Sequence, residues 1–154
     1  MKIDDIIIIK SQELAEKAKG DGVEKTVVGA VIKDKDKALL LERNSNEFMG
    51  GLVELASGKI EKGETILDGL QREVLEETGL QISEIHSYIG SFDYKSGSGK
   101  NCRQFNFFIK VKSLEDLKLN PEEHCNYYYL TKTEIESRRY NISDKTKNIL
   151  LKAL

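Results

Sequence analysis

Tryptophan is absent from this sequence, proline occurs once and cysteine twice. Neither Cys102 nor Cys125 sits in a CxxC, and a disulfide framework needs more cysteines in a shorter chain. The expectation is two reduced thiols in a cytoplasmic protein. The apolar run at Ile6–Ile9 is only four isoleucines, far too short to span a bilayer, and no segment reads as a signal peptide. A membrane is therefore not an expected partner. An excess of positive charge is also missing: 24 Lys and Arg against 26 Asp and Glu leave a formal charge of −2. That argues against duplex nucleic acid, which needs a basic footprint, but leaves room for a small phosphorylated ligand. Repeats and low-complexity tracts are missing as well.

What is present suits a globular fold. The 154 residues are 39% hydrophobic and 32% charged, enough for one domain with a real core. Residues 1–154 read as that domain, with 1–22 as an N-terminal extension. In the extension, Ile6–Ile9 predicts a strand, Gln12–Lys19 a short helix, and Lys19–Gly22 a break. Thr26–Ile32 and Ala38–Leu41, separated by the polar Asp34–Lys37, predict a hairpin. Val53–Leu55 is a short strand and Ser57–Glu64 a loop. A helix over Thr65–Thr78 closes at Gly79. Ile82–Tyr94 and Arg103–Val111 predict a second hairpin, and Tyr127–Leu130 a further strand. Thr131–Glu134 carries a capping box, and Ser143 caps a closing helix. Strands and helices thus alternate with hairpins, which implies an α/β fold with a mixed β-sheet sandwiched between helices.

The helix over 65–78 holds the informative anomaly. With Ile66 at zero and about 100° per residue, Leu70, Val74 and Leu67 fall at about 40°, 80° and 100°. That is a core stripe. Glu77 falls at about 20° and Glu73 at about −20°, beside or inside the stripe, with Glu76 at about −80°. Like charges at i,i+3 and i,i+4 repel, the C-terminal end of the helix dipole disfavours anions, and an unpaired buried carboxylate is costly. Arg72 relieves part of this. A hard divalent cation, which prefers oxygen ligands, relieves the rest. A solvated acidic face explains the stripe poorly.

Gly58, Glu64, Arg72-Glu73, apolar Val74, Glu76-Glu77, Gly79 and apolar Leu80 stand at the spacing of the Nudix box. Seven fixed letters would coincide by chance at about one start position in 10⁸. The sequence thus resembles a MutT-like Nudix hydrolase, and the order of elements resembles that fold over nearly the full length. The resemblance implies hydrolysis of a phosphoanhydride in a nucleoside diphosphate linked to another group, with Mg²⁺ or Mn²⁺. A nucleoside triphosphate cleaved to monophosphate and pyrophosphate is the leading expectation. Nucleotide sugars such as ADP-ribose, or dinucleoside polyphosphates, are the alternative within the class, and a non-catalytic nucleotide-sensing module the alternative outside it. By similarity, Glu73, Glu76, Glu77 and the Gly58 carbonyl are metal ligands, Arg72 holds the glutamates, and Glu64 braces loop and helix. Glu123, with Glu122 close behind, stands like the later-loop glutamate that serves some relatives as general base and ligand. Arg43 looks like a phosphate-directed arginine. Arg103 and Phe105 share one strand face with Phe107 and are candidate substrate contacts. His86 and His124 have no spacing partner and read as structural. Where many relatives carry Trp and Pro-Gly-Gly, this chain has Val53 and Ala56-Ser57-Gly58. It also lacks the proline that ADP-ribose-cleaving relatives often carry shortly after the box. The isoleucine-rich N-terminus could pair within the domain or with a second copy, so a homodimer is among the expected states.

Overall fold

The computed structural model describes all residues 1–154. Its strands are β1 (Lys2–Ile3), β2 (Lys25–Asp34), β3 (Lys37–Arg43), β4 (Val53–Glu54), β5 (Ala56–Lys59), β6 (Ile82–Lys95), β7 (Asn101–Val111) and β8 (His124–Thr131). Its helices are α1 (Asp5–Gly20), α2 (Ile66–Thr78), α3 (Lys132–Glu136) and α4 (Asp144–Ala153). The strand order is β1–β6–β7–β2–β3–β4, with β5 added on β2 and β8 on β3. β1/β6 and β2/β7 are parallel and the other pairs antiparallel, so the sheet is mixed as expected.

The apolar runs of β2 and β3 explain the layers. Val28, Ala30, Ile32, Leu39 and Leu41 pack in one core with α1 and α2, while Val31, Ala38 and Leu40 pack in a second core with α4. Successive side chains in a strand point to opposite faces, so a strand covered on both sides must be apolar throughout. The result is the α/β/α sandwich the sequence implied.

Two local expectations change. Ile6–Ile9 is not a strand: it lies in the first turns of α1, a 16-residue helix in which Ile7, Ser11 and Ala18 face the protein. The helix-forming stretch from Gln12 onward extends back through the isoleucines, because β-propensity yields to context. The strand is the preceding Lys2–Ile3, paired parallel with β6. Ser57–Lys59 is not loop either. It belongs to β5, in register with β2 through Val28 opposite Gly58. Elsewhere the chain follows its signals. Thr65 Oγ1 accepts from the Asp68 amide at 3.1 Å, Gly79 closes α2 at φ 70°, and Thr131 and Glu134 form the reciprocal capping box of α3. Both cysteines are free thiols. No helix is long and apolar enough to cross a membrane.

Candidate active site

A cleft of about 690 Å³ opens where β5 meets the C-terminal half of α2. Such a volume suits a small molecule. Glu73, Glu77, Glu123, Gly58 and Arg43 all line it. They come from four parts of the chain, and the fold gives each its place.

α2 presents its acidic face to β5. Glu77 is 6% exposed, and its Oε1 accepts from the Ser57 amide at 2.7 Å. Burial pushes its carboxyl up to about 10, with the neighbouring Glu123 adding to the shift and the Ser57 amide opposing it. Glu73 is half-buried, and desolvation raises its carboxyl against the pull of Arg72. Gly58 lies so close that a Cβ there would overlap the Glu73 carboxylate. Only glycine lets the β5 backbone reach the acidic face of the helix.

Arg72 organises the rest. Its Nε and Nη2 donate to the two carboxylate oxygens of Glu64 at 2.7 and 2.9 Å. Nη1 reaches Glu73 at 2.9 Å and Glu76 at 3.2 Å, and Nη2 also donates to the Lys59 carbonyl at 3.0 Å. One planar fork therefore ties β5, the loop after it and α2 together. Glu64 also accepts from the Glu61 amide, and the Arg72 bonds hold its carboxyl down at about 2. Glu76 is the most exposed of the three box acids on α2 and does not line the cleft.

Glu123 arrives by a separate route. The Asn120 amide donates to the Glu77 carbonyl, the Asn44 amide to the Glu123 carbonyl, and the Asn44 side chain to the Pro121 carbonyl. The loop before β8 is thus clasped by the end of α2 and by the loop after β3. Oxygens of Glu77 and Glu123 and a ring nitrogen of His124 all lie within 4.8 Å of one another. Arg43 donates to Glu54 at 3.2 Å and to the Phe48 carbonyl at 2.8 Å, and Glu54 in turn meets His124 at 2.9 Å.

The sequence-predicted residues divide at this point. Gly58, Glu73, Glu77, Glu123 and Arg43 converge on the cleft, and Arg72 stands behind it, bound to Glu64, Glu73 and Glu76. Arg103 and Phe105 do not. Arg103 pairs with Asp21 and Asp93, each at 2.7 Å, and Phe105 is 1% exposed in the core under α1 and α2. The strand alternation was read correctly, but the cleft lies on the other face of β7, where Cys102 and Gln104 line it. The sequence reading takes His124, buried beside Glu123, as structural, and it does not name Phe48, Tyr94 and Gln104 in the cleft wall. Alternation along β7 was the one signal that could have pointed to Gln104. The Phe48 ring sits against Gly97 of the β6–β7 turn, and both line the cleft.

The donor set fits a hard divalent cation. Glu73, Glu77 and Glu123 put carboxylate oxygens around one cleft, with the Gly58 backbone against Glu73. Lys25, Lys59 and Lys95 line the same cleft, so the acids share it with cations suited to a polyanion.

A family model described as NUDIX domain matches residues 23–150. The chain belongs to the NUDIX family. Among sequence relatives, the oxidized purine nucleoside triphosphate hydrolase of Mus musculus is 42% identical over 101 residues, which are 66% of this chain and 54% of that protein. The ADP-ribose pyrophosphatase of Methanocaldococcus jannaschii is 38% identical over 65 residues, 42% of this chain and 37% of that one. The chain spans about half or less of the length of the curated relatives it matches. Among solved structures, a MutT protein from Methanosarcina mazei aligns with TM-score 0.72 at 25% identity, covering 82% of this chain and 90% of that one. The E. coli ORF135 protein aligns with TM-score 0.70 at 24% identity, covering 87% and 91%, and that likeness speaks to the fold alone.

Proposed function

We propose that this NUDIX chain is a divalent-metal-dependent pyrophosphohydrolase, and that it cleaves a nucleoside triphosphate to the monophosphate and pyrophosphate. The observation that carries the reading is the meeting of Glu73, Glu77 and Glu123 in one cleft that Arg43 and three lysines also line. In this reading Glu73, Glu76, Glu77, Glu123 and the Gly58 carbonyl hold the cation. Bound Mg²⁺ or Mn²⁺ would neutralise charge on the phosphate oxygens and acidify a water. Glu123 accepts the proton of the attacking water as its oxygen bonds phosphorus and the bridging P–O bond breaks, with pyrophosphate leaving. Arg43 faces the phosphates, and Arg72 is a positioning residue for the box acids. Phe48, Tyr94 and Gln104 offer a stacking and hydrogen-bonding wall for the nucleobase.

The reading is tested with a substrate panel in Mg²⁺, scored by phosphate products: the common nucleoside triphosphates, oxidised purine triphosphates and ADP-ribose. Triphosphates are expected to turn over fastest, and Glu76→Gln to lose most of the activity. Faster cleavage of ADP-ribose would move the substrate to the nucleotide-sugar class, which the name of the archaeal relative keeps on the panel. Turnover of nothing on the panel would favour a nucleotide-sensing module.

Gly58 gives a second test. Gly58→Ala drives a methyl into the Glu73 carboxylate, so Mg²⁺ affinity by calorimetry is expected to fall by about tenfold or more. Wild-type affinity in this variant would mean that close approach of the β5 backbone is not needed.

A further inference from the structure

His124 stands apart from every other polar side chain in the protein. It is 2% exposed, between the exposed Glu123 and Cys125. Its Nε2 lies 2.9 Å from Glu54 Oε2, while Nδ1 is sealed from solvent with no hydrogen-bond partner, the one buried side-chain polar atom so placed. Most buried side-chain polar atoms have a partner, and an orphaned one calls for an explanation such as an ion or a catalytic role. Glu54 is a carboxylate and can only accept, so Nε2 carries the proton in the neutral ring and Nδ1 keeps its lone pair. That lone pair belongs to a residue whose ring is grouped with the Glu77 and Glu123 oxygens within 4.8 Å.

A carboxylate on one imidazole nitrogen and a metal on the other is the usual arrangement around a ligating histidine. Here the carboxylate is itself held, by Arg43 at 3.2 Å. We infer that Nδ1 of His124 joins Glu77 and Glu123 as a nitrogen ligand, making a mixed nitrogen–oxygen divalent site that Glu54 and Arg43 orient. The inference rests on the reading of Glu77 and Glu123 as metal ligands and adds what that reading does not contain, a preference among cations. An imidazole ligand suits Co²⁺ and Zn²⁺, whereas an all-oxygen site suits Mg²⁺ and Mn²⁺. Arg43 then acts on the metal site through Glu54 as well as facing the cleft.

The test uses the full-length chain stripped of metal. His124→Gln can still donate to Glu54 from its amide but has no lone pair where Nδ1 was. Calorimetric titration of wild type is expected to give Co²⁺ binding at least tenfold tighter than Mg²⁺, and His124→Gln is expected to lose most of that ratio by weakening Co²⁺ about tenfold or more. The Co²⁺-loaded wild type is expected to show a strongly shifted, solvent-exchangeable imidazole N–H resonance that the variant lacks, and metal-free melting of the variant controls for folding. An unchanged Co²⁺:Mg²⁺ ratio, with no such resonance in wild type, overturns the inference. Glu77→Gln and Glu123→Gln separate the two levels. If they abolish binding while His124→Gln does not alter it, only the nitrogen ligand falls. If they bind Co²⁺ like wild type, the glutamate reading falls with it.

Discussion

Glu77→Gln is expected to lower kcat/KM by about 10³-fold, roughly 4 kcal/mol of transition-state stabilisation, while raising the stability of the metal-free protein. The two effects share one cause. Burial holds the Glu77 carboxyl at about 10 when no cation is bound. Below pH 4.5, the carboxyl's ordinary value, folded and unfolded chains both carry the proton and nothing is lost. Between there and about pH 10 the unfolded chain ionises and the folded one does not, so stability falls as pH rises. The folded chain loses stability with each pH unit over that range, on the order of a few kcal/mol by pH 7. Glutamine does not ionise, and its carbonyl can still accept from Ser57. The melting temperature of the variant should therefore exceed that of wild type by a margin that widens from pH 5 to 9 in EDTA. Added Mg²⁺ should reverse the order, because binding requires the carboxylate and releases the proton. A pH-independent margin, or activity within tenfold of wild type, would remove Glu77 from the metal site.

Arg72→Ala is expected to cost about 3 kcal/mol of stability and most of the activity. The guanidinium satisfies Glu64 twice, Glu73, Glu76 and the Lys59 carbonyl. Its removal leaves Glu73 half-buried with no adjacent cation. For a chain of this size that corresponds to a drop in melting temperature of about 6–12 °C. Arg72→Lys should recover less than half, since an ammonium cannot reproduce the fork. The acid limb carries a separate signature. Arg72 depresses the Glu64 carboxyl to about 2 in the folded protein, so that contribution is present above pH 4.5 and is lost as pH falls through about 2. Without Arg72, acid unfolding should begin at a higher pH. Equal melting temperatures for wild type and Arg72→Ala at pH 7 would show that the bonds add nothing net.

How much of this was legible depends on the range over which each signal acts. The box acids announced themselves locally: two carboxylates on the apolar stripe of α2 conflict with helix physics, and the structure buries Glu77 where the angular count placed it. The caps at Thr131 and Ser143 were equally local, each a side chain bonding an amide three residues on. The isoleucines misled because β-branched composition is a weak preference, and α1 needed only Ile7 of the four buried. Ser57–Lys59 reads as loop because a strand of four residues paired through Ser57 and Gly58 has no apolar alternation to detect.

The sequence by itself determined the acidic helix, because the spacing of Glu73, Glu76 and Glu77 is fixed by helix geometry, and its resemblance to the Nudix box implied the family and the parts of Gly58 and Arg72. Tertiary structure decided the rest. It chose which face of β7 meets the cleft, favouring Gln104 over Arg103 and Phe105, because strand alternation gives two faces and only packing assigns the inner one. It also brought His124 beside Glu77 and set Glu54 against it, contacts 47 and 70 positions apart in the chain that no periodicity encodes.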